Sequence, residues 1–150
     1  GSTATGLCSA VGMPAVHGNV VAPTIGSFNH YGFVGNANRC PSIAGPQFMT
    51  ANGTRLPTPN GDFAGDVMAS DLAHLLSDVV TNPFADISYL NDGWYDRYGL
   101  ENADKCVGTF GTTYTTANGA RANVRWGGRD YLVQQNWVND KKGRCGMTLF

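Results

Sequence analysis

The chain has 150 residues, of which 42% are hydrophobic and 14% charged, and its formal net charge is -1. That length suits one hydrophobic core and is short for two. A charged fraction well under the usual value of about one quarter, with 20 glycines and many Asn and Thr, points to a neutral-polar, turn-rich surface of the extracellular β-rich kind. The charge balance gives no nucleic-acid footprint, the densest basic group being Lys141, Lys142 and Arg144. No run of about 18 apolar residues is present to span a membrane.

Residues 1–60 are broken by Gly, Pro and Asn, with apolar runs at Val20–Val21 and Tyr31–Val34 that read as short strands between ordered loops. Gly1-Ser2 reads as a tag remnant and residues 1–6 as a tail, so residues 7–150 form the expected single domain. No secretory leader stands in this sequence, and the natural protein is expected to extend further at its N-terminus. The sequon Asn52-Gly53-Thr54 lies in a Gly/Pro-rich loop and makes Asn52 a candidate glycosylation site.

One helix is predicted over about 62–80, with Asn60 or Asp62 as N-cap and Thr81-Asn82-Pro83 as the stop. At about 100° per residue, Met68, Leu72, Leu75, Leu76, Val79 and Val80 share one face. Asp66, Ser70, His74, Ser77, Asp78 and Thr81 share the opposite one. From Pro83 to Gly111 the chain reads as loop and carries Asp86, Asp92, Asp96, Glu101 and Asp104 together with Trp94, Tyr95 and Tyr98.

The remainder reads as β: a Thr-rich run at 112–116, then 121–126 and 129–138 as a hairpin about Gly127-Gly128, with Trp126 and Trp137 as core residues. Cys8, Cys40, Cys106 and Cys145 show no CxxC spacing, which leaves neither a zinc ribbon nor a redox pair and favours two disulfides. Three pairings are open. The local one, Cys8–Cys40 with Cys106–Cys145, would contribute roughly 3–4 kcal/mol per bridge in the chain-entropy model. The fold class is α+β: one amphipathic helix packed on a small, mostly antiparallel sheet, with loops pinned by two disulfides.

The run from Asp71 to Phe84, DLAHLLSDVVTNPF, resembles the helix-plus-TNPF signature of the EXORDIUM (phosphate-induced protein) family. Leu7-Cys8, the Gly32–Ala37 run before Cys40-Pro41, Asp104–Gly111, and Gly128–Leu132 with Trp137 and Cys145 are similar to further family segments in the same order. The resemblance implies a secreted apoplast or cell-wall protein linked to growth and cell expansion, with no assigned chemistry.

A related secreted set writes this helix as HELxEAxTDP, follows it with an acidic GWYD…ENADKC segment, and looks like a zincin-type metallopeptidase. The chain has Gly93-Trp94-Tyr95-Asp96 and Glu101–Cys106 nearly as that set does, which implies a degenerate zincin-like scaffold. A zinc hydrolase needs ligands one helical turn apart and a carboxylate that takes a proton from metal-bound water. His74 stands at the first ligand position, whereas Leu75 replaces the base, Asp78 shortens the second acid and Asn82 replaces the third.

The leading expectation is therefore a non-catalytic extracellular protein with no cofactor, partnered by a cell-wall glycan or another extracellular protein. A second reading is a zinc-dependent hydrolase with an altered site, using His74 and Asp78 with Asp96, Glu101 or Asp104. The loop acids also suit calcium, although no EF-hand spacing is present. A third reading is a glycan-binding module stacking sugars on Trp94, Tyr95 and Tyr98. Ser-based hydrolysis has no support, because no nucleophile elbow is present.

Overall fold

In a computed structural model of the protein, which describes residues 15–22, 27–39, 45–84 and 93–147, the helix α1 runs Phe63–Thr81. Asp62 caps it, its carboxylate accepting from the Gly65 amide at 3.2 Å. At the other end the Asn82 amide donates to the Asp78 carbonyl, and Pro83 cannot continue the ladder. The returning chain completes the cap: Trp94 N–H donates to the Thr81 carbonyl at 2.8 Å and Gly93 N–H to the Asn82 side-chain oxygen at 2.7 Å.

The helix is turned from the expected orientation. Asp66, Ser70 and Asp78 of the polar stripe are buried beside Val67 and Leu75. Leu72, Leu76 and Val80 are 47%, 55% and 59% exposed. Periodicity places residues on a common face but does not say which face finds partners, and here Asn60 at the Asp66 end and the 93–106 segment at the Asp78 end supply the hydrogen-bonding groups that make the polar stripe the docking side.

Eight strands follow the expected antiparallel sense but form separate ladders among the described residues, where a single small sheet was expected. β1 (Ala15–Ala22) pairs with β2 (Ser27–Val34) from Ala15↔Val34 to Ala22↔Ser27. β3 (Tyr114–Thr115) pairs with β4 (Arg121–Ala122), β5 (Val124–Trp126) with β6 (Arg129–Tyr131), and β7 (Asn136–Val138) with β8 (Arg144–Gly146). Side chains do the work of a continuous ladder between these short pieces. The Asn123 amide donates to the Phe110 and Val133 carbonyls at 2.8 and 2.7 Å and accepts from Val133 N–H at 2.9 Å. The β5–β6 turn is Gly127-Gly128 as expected, both at positive φ (58° and 76°), a conformation glycine enters freely.

Ala37, Phe48, Val67 and Leu132 make the core, with Phe63 and Phe110 packed against it. Trp137 is half-buried under the Lys105 ammonium, which sits 4.3 Å from its ring centroid. Trp126, expected in the core, is 78% exposed. Cys106 and Cys145 are disulfide-bonded across 39 residues of sequence, which ties a 3₁₀ turn at Asp104–Cys106 to β8. Cys8 and Cys40, and with them the second expected bridge, lie outside the described residues, as do Asp86 and Asp92.

Gly93 is required by the helix cap. A Cβ there would meet the Thr81 carbonyl oxygen and the Asn82 Cα, both backbone atoms that cannot swing aside. Gly93→Ala is expected to cost about 2–4 kcal/mol in denaturant unfolding, whereas Gly53→Ala, which adds no contact within 4 Å and carries only the strain of φ 78°, is expected to cost about 1 kcal/mol.

Candidate functional site

The buried stripe of α1 meets the chain between Gly93 and Cys106 in a dense set of polar contacts. Asp78 and His74 lie one turn apart, with Asp78 Oδ2 3.0 Å from His74 Nε2. Asp104 Oδ1 reaches the same nitrogen at 3.3 Å. The second Asp78 oxygen accepts from the Ala103 amide at 2.7 Å, and the second Asp104 oxygen from the Glu101 amide at 3.2 Å. His74 Nδ1 lies 3.1 Å from the Gln134 side-chain oxygen, and Gln134 is held in turn by donating to the Ala103 carbonyl at 2.7 Å.

Burial alone would lower the pKa of His74. Hydrogen bonds to Asp104 and Asp78, the Asp78 charge and the Gln134 bond outweigh it, and the imidazole is pushed up to about 10 from 6.5. At neutral pH His74 is an imidazolium with both N–H groups spent. Asp104 is correspondingly held low, chiefly by its bond to His74 and against partial burial.

Asp71, one turn earlier on the helix, shows the opposite behaviour. Burial pushes its carboxyl up to about 7 from 3.8, only partly offset by His74, and Oδ2 is enclosed without a hydrogen-bond partner.

A second network extends from the same stripe. Glu101 Oε2 lies 3.0 Å from His17 Nε2 on β1, and Glu101 Oε1 accepts from the Asn82 side chain at 2.7 Å. Asn102 accepts from Ser77 Oγ at 3.1 Å and donates to the Trp137 carbonyl at 3.0 Å. His74, Asp78 and Asp104 thus converge, each with a ligand-type atom within 4.8 Å of the others'. Glu101 instead faces His17. Asp96 stands apart, pairing with Lys105 Nζ at 3.0 Å and accepting from the Tyr98 and Leu100 amides.

Trp94 is half-buried, with Lys105 Nζ 5.9 Å from its ring centroid, while Tyr95 and Tyr98 are exposed and Arg97 lies over the Tyr98 ring at 5.5 Å. Asn52 is exposed in a turn closed by Thr50 and Thr54. Gln134, Asn102 and His17 escaped the sequence reading, because an amide or an isolated His 57 residues before His74 carries no spacing signal.

The sequence matches the family described as the phosphate-induced protein 1 conserved region over residues 3–147. The chain belongs to this family. It is 35% identical over 126 residues to Protein EXORDIUM-like 3 of Arabidopsis thaliana, covering 71% of this chain and 35% of that protein. It is 33% identical over 126 residues to Protein EXORDIUM-like 2 of the same plant, covering 71% of this chain and 39% of that protein. The chain therefore spans a little over a third of the length of these relatives. No solved structure matches.

The DLAHLLSDVVTNPF run that resembles the EXORDIUM signature and the acidic 93–106 segment that resembles the zincin-like set are the two sides of one contact. His74, Ser77, Asp78, Thr81 and Asn82 each bond a group from residues 93–104.

Three outcomes follow for stability. Because the folded pKa of His74 lies above its unfolded value, its contribution is complete below about pH 6.5 and is lost as the pH rises through about 10. Urea midpoints should decline over that window, and the decline should flatten in His74→Gln. For Asp71 the raised acid pKa means that the folded state binds the extra proton between 3.8 and about 7, so stability falls as the pH climbs through that interval. Asp71→Asn should raise the thermal midpoint at pH 8 by several degrees and barely alter it at pH 3.5. Equal effects at both pH values would contradict the buried-acid assignment. Removing one partner of the buried pair, as in Asp78→Ala, should cost about 3–5 kcal/mol.

Proposed function

We propose that this EXORDIUM-type chain is a non-catalytic extracellular protein whose polar cluster is structural, built on a scaffold descended from a zincin-like one. The observation that carries this reading is Leu75. It is buried, and its side chain points to the β1–β2 hairpin, where a Cβ on Gly32 would come within 2.5 Å of Leu75 Cδ2. The position where a zincin would hold its proton acceptor is therefore a packing residue.

The neighbouring carboxylates are engaged. Both oxygens of Asp78 and of Asp104 have partners, and on Asp71 one oxygen, Oδ2, is enclosed without a partner. A water-activating base is a carboxylate poised for proton transfer, whereas Asp78 and Asp104 are each bonded through both oxygens, to His74 and to a backbone amide.

The Cys106–Cys145 disulfide supports an oxidising, extracellular setting. No helix among the described residues is long and apolar enough to cross a membrane. Exposed Asn52 supports glycosylation in the secretory pathway. An endoglycosidase-sensitive mobility shift after secretion from a eukaryotic host, absent in Asn52→Gln, is the expected result. Identical migration of the two proteins would remove the glycan.

A second reading has one specific observation in its favour. A metal-bound imidazole commonly donates its other N–H to a carbonyl, as His74 Nδ1 is placed to do toward Gln134, leaving Nε2 to face Asp78 and Asp104. These donors fit a zinc-type ion once His74 is deprotonated; such an ion would supply Lewis acidity, while Asp78 and Asp104 would act only as its holders.

Elemental analysis by inductively coupled plasma detection, on protein purified without chelator, separates the readings when paired with a casein-cleavage assay. The structural reading expects no stoichiometric metal and no cleavage. Stoichiometric zinc with chelator-sensitive cleavage would overturn it, and stoichiometric zinc without cleavage would favour a structural metal.

A further inference from the structure

Trp126 is the most exposed large apolar side chain among the described residues, at 78%. It is not on a loose segment. It closes β5 directly before the Gly127-Gly128 turn, and Arg129 is its cross-strand partner. The hairpin is pinned from several sides: the Asn60 side chain donates to the Asp130 carbonyl at 2.7 Å, Tyr114 Oη donates to Asp130 Oδ1 at 2.8 Å, and Asn123 brackets the base of β5. A tryptophan held in water on a fixed support keeps its apolar face available at little further entropic cost on binding.

The charges around it are segregated. Residues 112–138 carry Arg121, Arg125 and Arg129 against Asp130 as the lone carboxylate, in a chain whose overall charge is -1. Arg125 is 70% exposed and only 4.0 Å from Asp130 at its nearest nitrogen. Arg129 is exposed and has no ion pair among the described residues. Directly opposed residues of an antiparallel pair project to the same face, so Trp126 and Arg129 leave the hairpin tip on one face.

We propose that the β5–β6 hairpin tip is a binding site for an acidic polysaccharide, one whose pyranose rings carry carboxylates. The indole offers a flat apolar surface to the C–H face of a sugar ring. Arg129 offers a planar fork that matches a carboxylate bidentately, while Arg125, on the other face of the ladder, and Arg121, on the neighbouring ladder, add only longer-range attraction for an acidic chain.

Other partners fit less well. A membrane-inserting tip needs several apolar side chains, and here two glycines and an arginine flank the single Trp. Three arginines in a weakly anionic chain give too few phosphate contacts for nucleic acid. A protein hot spot places its Trp within a packed apolar surround, which Arg125, Arg129 and the turn glycines do not provide. The proposal deepens the extracellular reading but uses no residue of the His74 cluster, so a metal or peptidase result there leaves it untouched.

Isothermal titration with three probes tests it: linear polygalacturonate, the same polymer fully methyl-esterified, and a neutral β-1,4-glucan. The free acid should bind. Methyl esterification, Arg129→Gln and Trp126→Ala should each weaken binding about tenfold or more, and Trp126→Phe should restore part of the loss. Both positions are exposed, so unchanged far-UV circular dichroism and thermal midpoints are expected and certify the comparison. The proposal is overturned by absence of binding to polygalacturonate, by undiminished binding in Trp126→Ala, or by equal affinity for the methyl ester. Trp126-dependent binding to phosphatidylglycerol vesicles or to single-stranded DNA, at an affinity matching the polygalacturonate, would also overturn it by reassigning the surface.

Discussion

A helix that buries the side carrying Asp66, Ser70, His74 and Asp78 must find a partner for each polar atom it removes from water. In this protein the requirement is met chiefly at His74. Its imidazolium lies between two carboxylates, one from its own helix and one from the 3₁₀ turn at Asp104–Cys106, with an amide oxygen on the remaining nitrogen. Two negative charges and one positive charge in a partly enclosed setting hold the helix against a segment that has almost no secondary structure of its own. The interaction does not have to be worth much relative to an apolar replacement to be decisive, because removing either member strands the other.

From that constraint the placement of the surrounding chain follows. Ala103 N–H must point at Asp78, which fixes the 3₁₀ turn and with it the direction of Cys106. The disulfide to Cys145 then draws β8, and its partner β7, onto the same segment, where Trp137 packs under Lys105. Lys105 is itself paired with Asp96, so among the described residues Asp96, Glu101 and Asp104 of this loop all have internal partners. At the helix C-terminus, Asn82 and Glu101 carry the network on to His17 of β1. A site that resembles catalytic machinery in residue content is thus bonded largely within itself, which is the basis for the proposal that it is a clamp.

Much of this was legible in the sequence, for identifiable reasons. The helix limits were readable because an Asp cap and an Asn-Pro stop act locally. The Gly-Gly hairpin was readable because few other pairs tolerate positive φ at both positions. His74, Asp78 and Asp104 could be nominated, since two lie one turn apart on a helix and the third belongs to an acidic motif. The side of the helix that is buried was not readable: Leu72, Leu76 and Val80 have the hydrophobicity of core residues, and the partners from Asn60 and the distant 93–106 segment decide that the polar stripe docks instead. Gln134 and His17 are positioned by tertiary contacts 60 and 84 residues away in sequence, beyond any periodic signal. Trp126 was misplaced for a related reason. A short two-stranded ladder has no opposing layer to bury its outward side chains, whatever their size.

The protonation state of His74 bears most directly on the claim that the cluster is a clamp. Long-range proton–nitrogen correlation spectra of uniformly labelled protein, followed from pH 6 to pH 11, read both ring nitrogens separately. The account predicts two protonated nitrogens at pH 7.5, a transition near 10, and spectra unaltered by one equivalent of zinc. A neutral ring at pH 7.5, with an unprotonated Nε2 whose resonance moves on zinc addition, would contradict it.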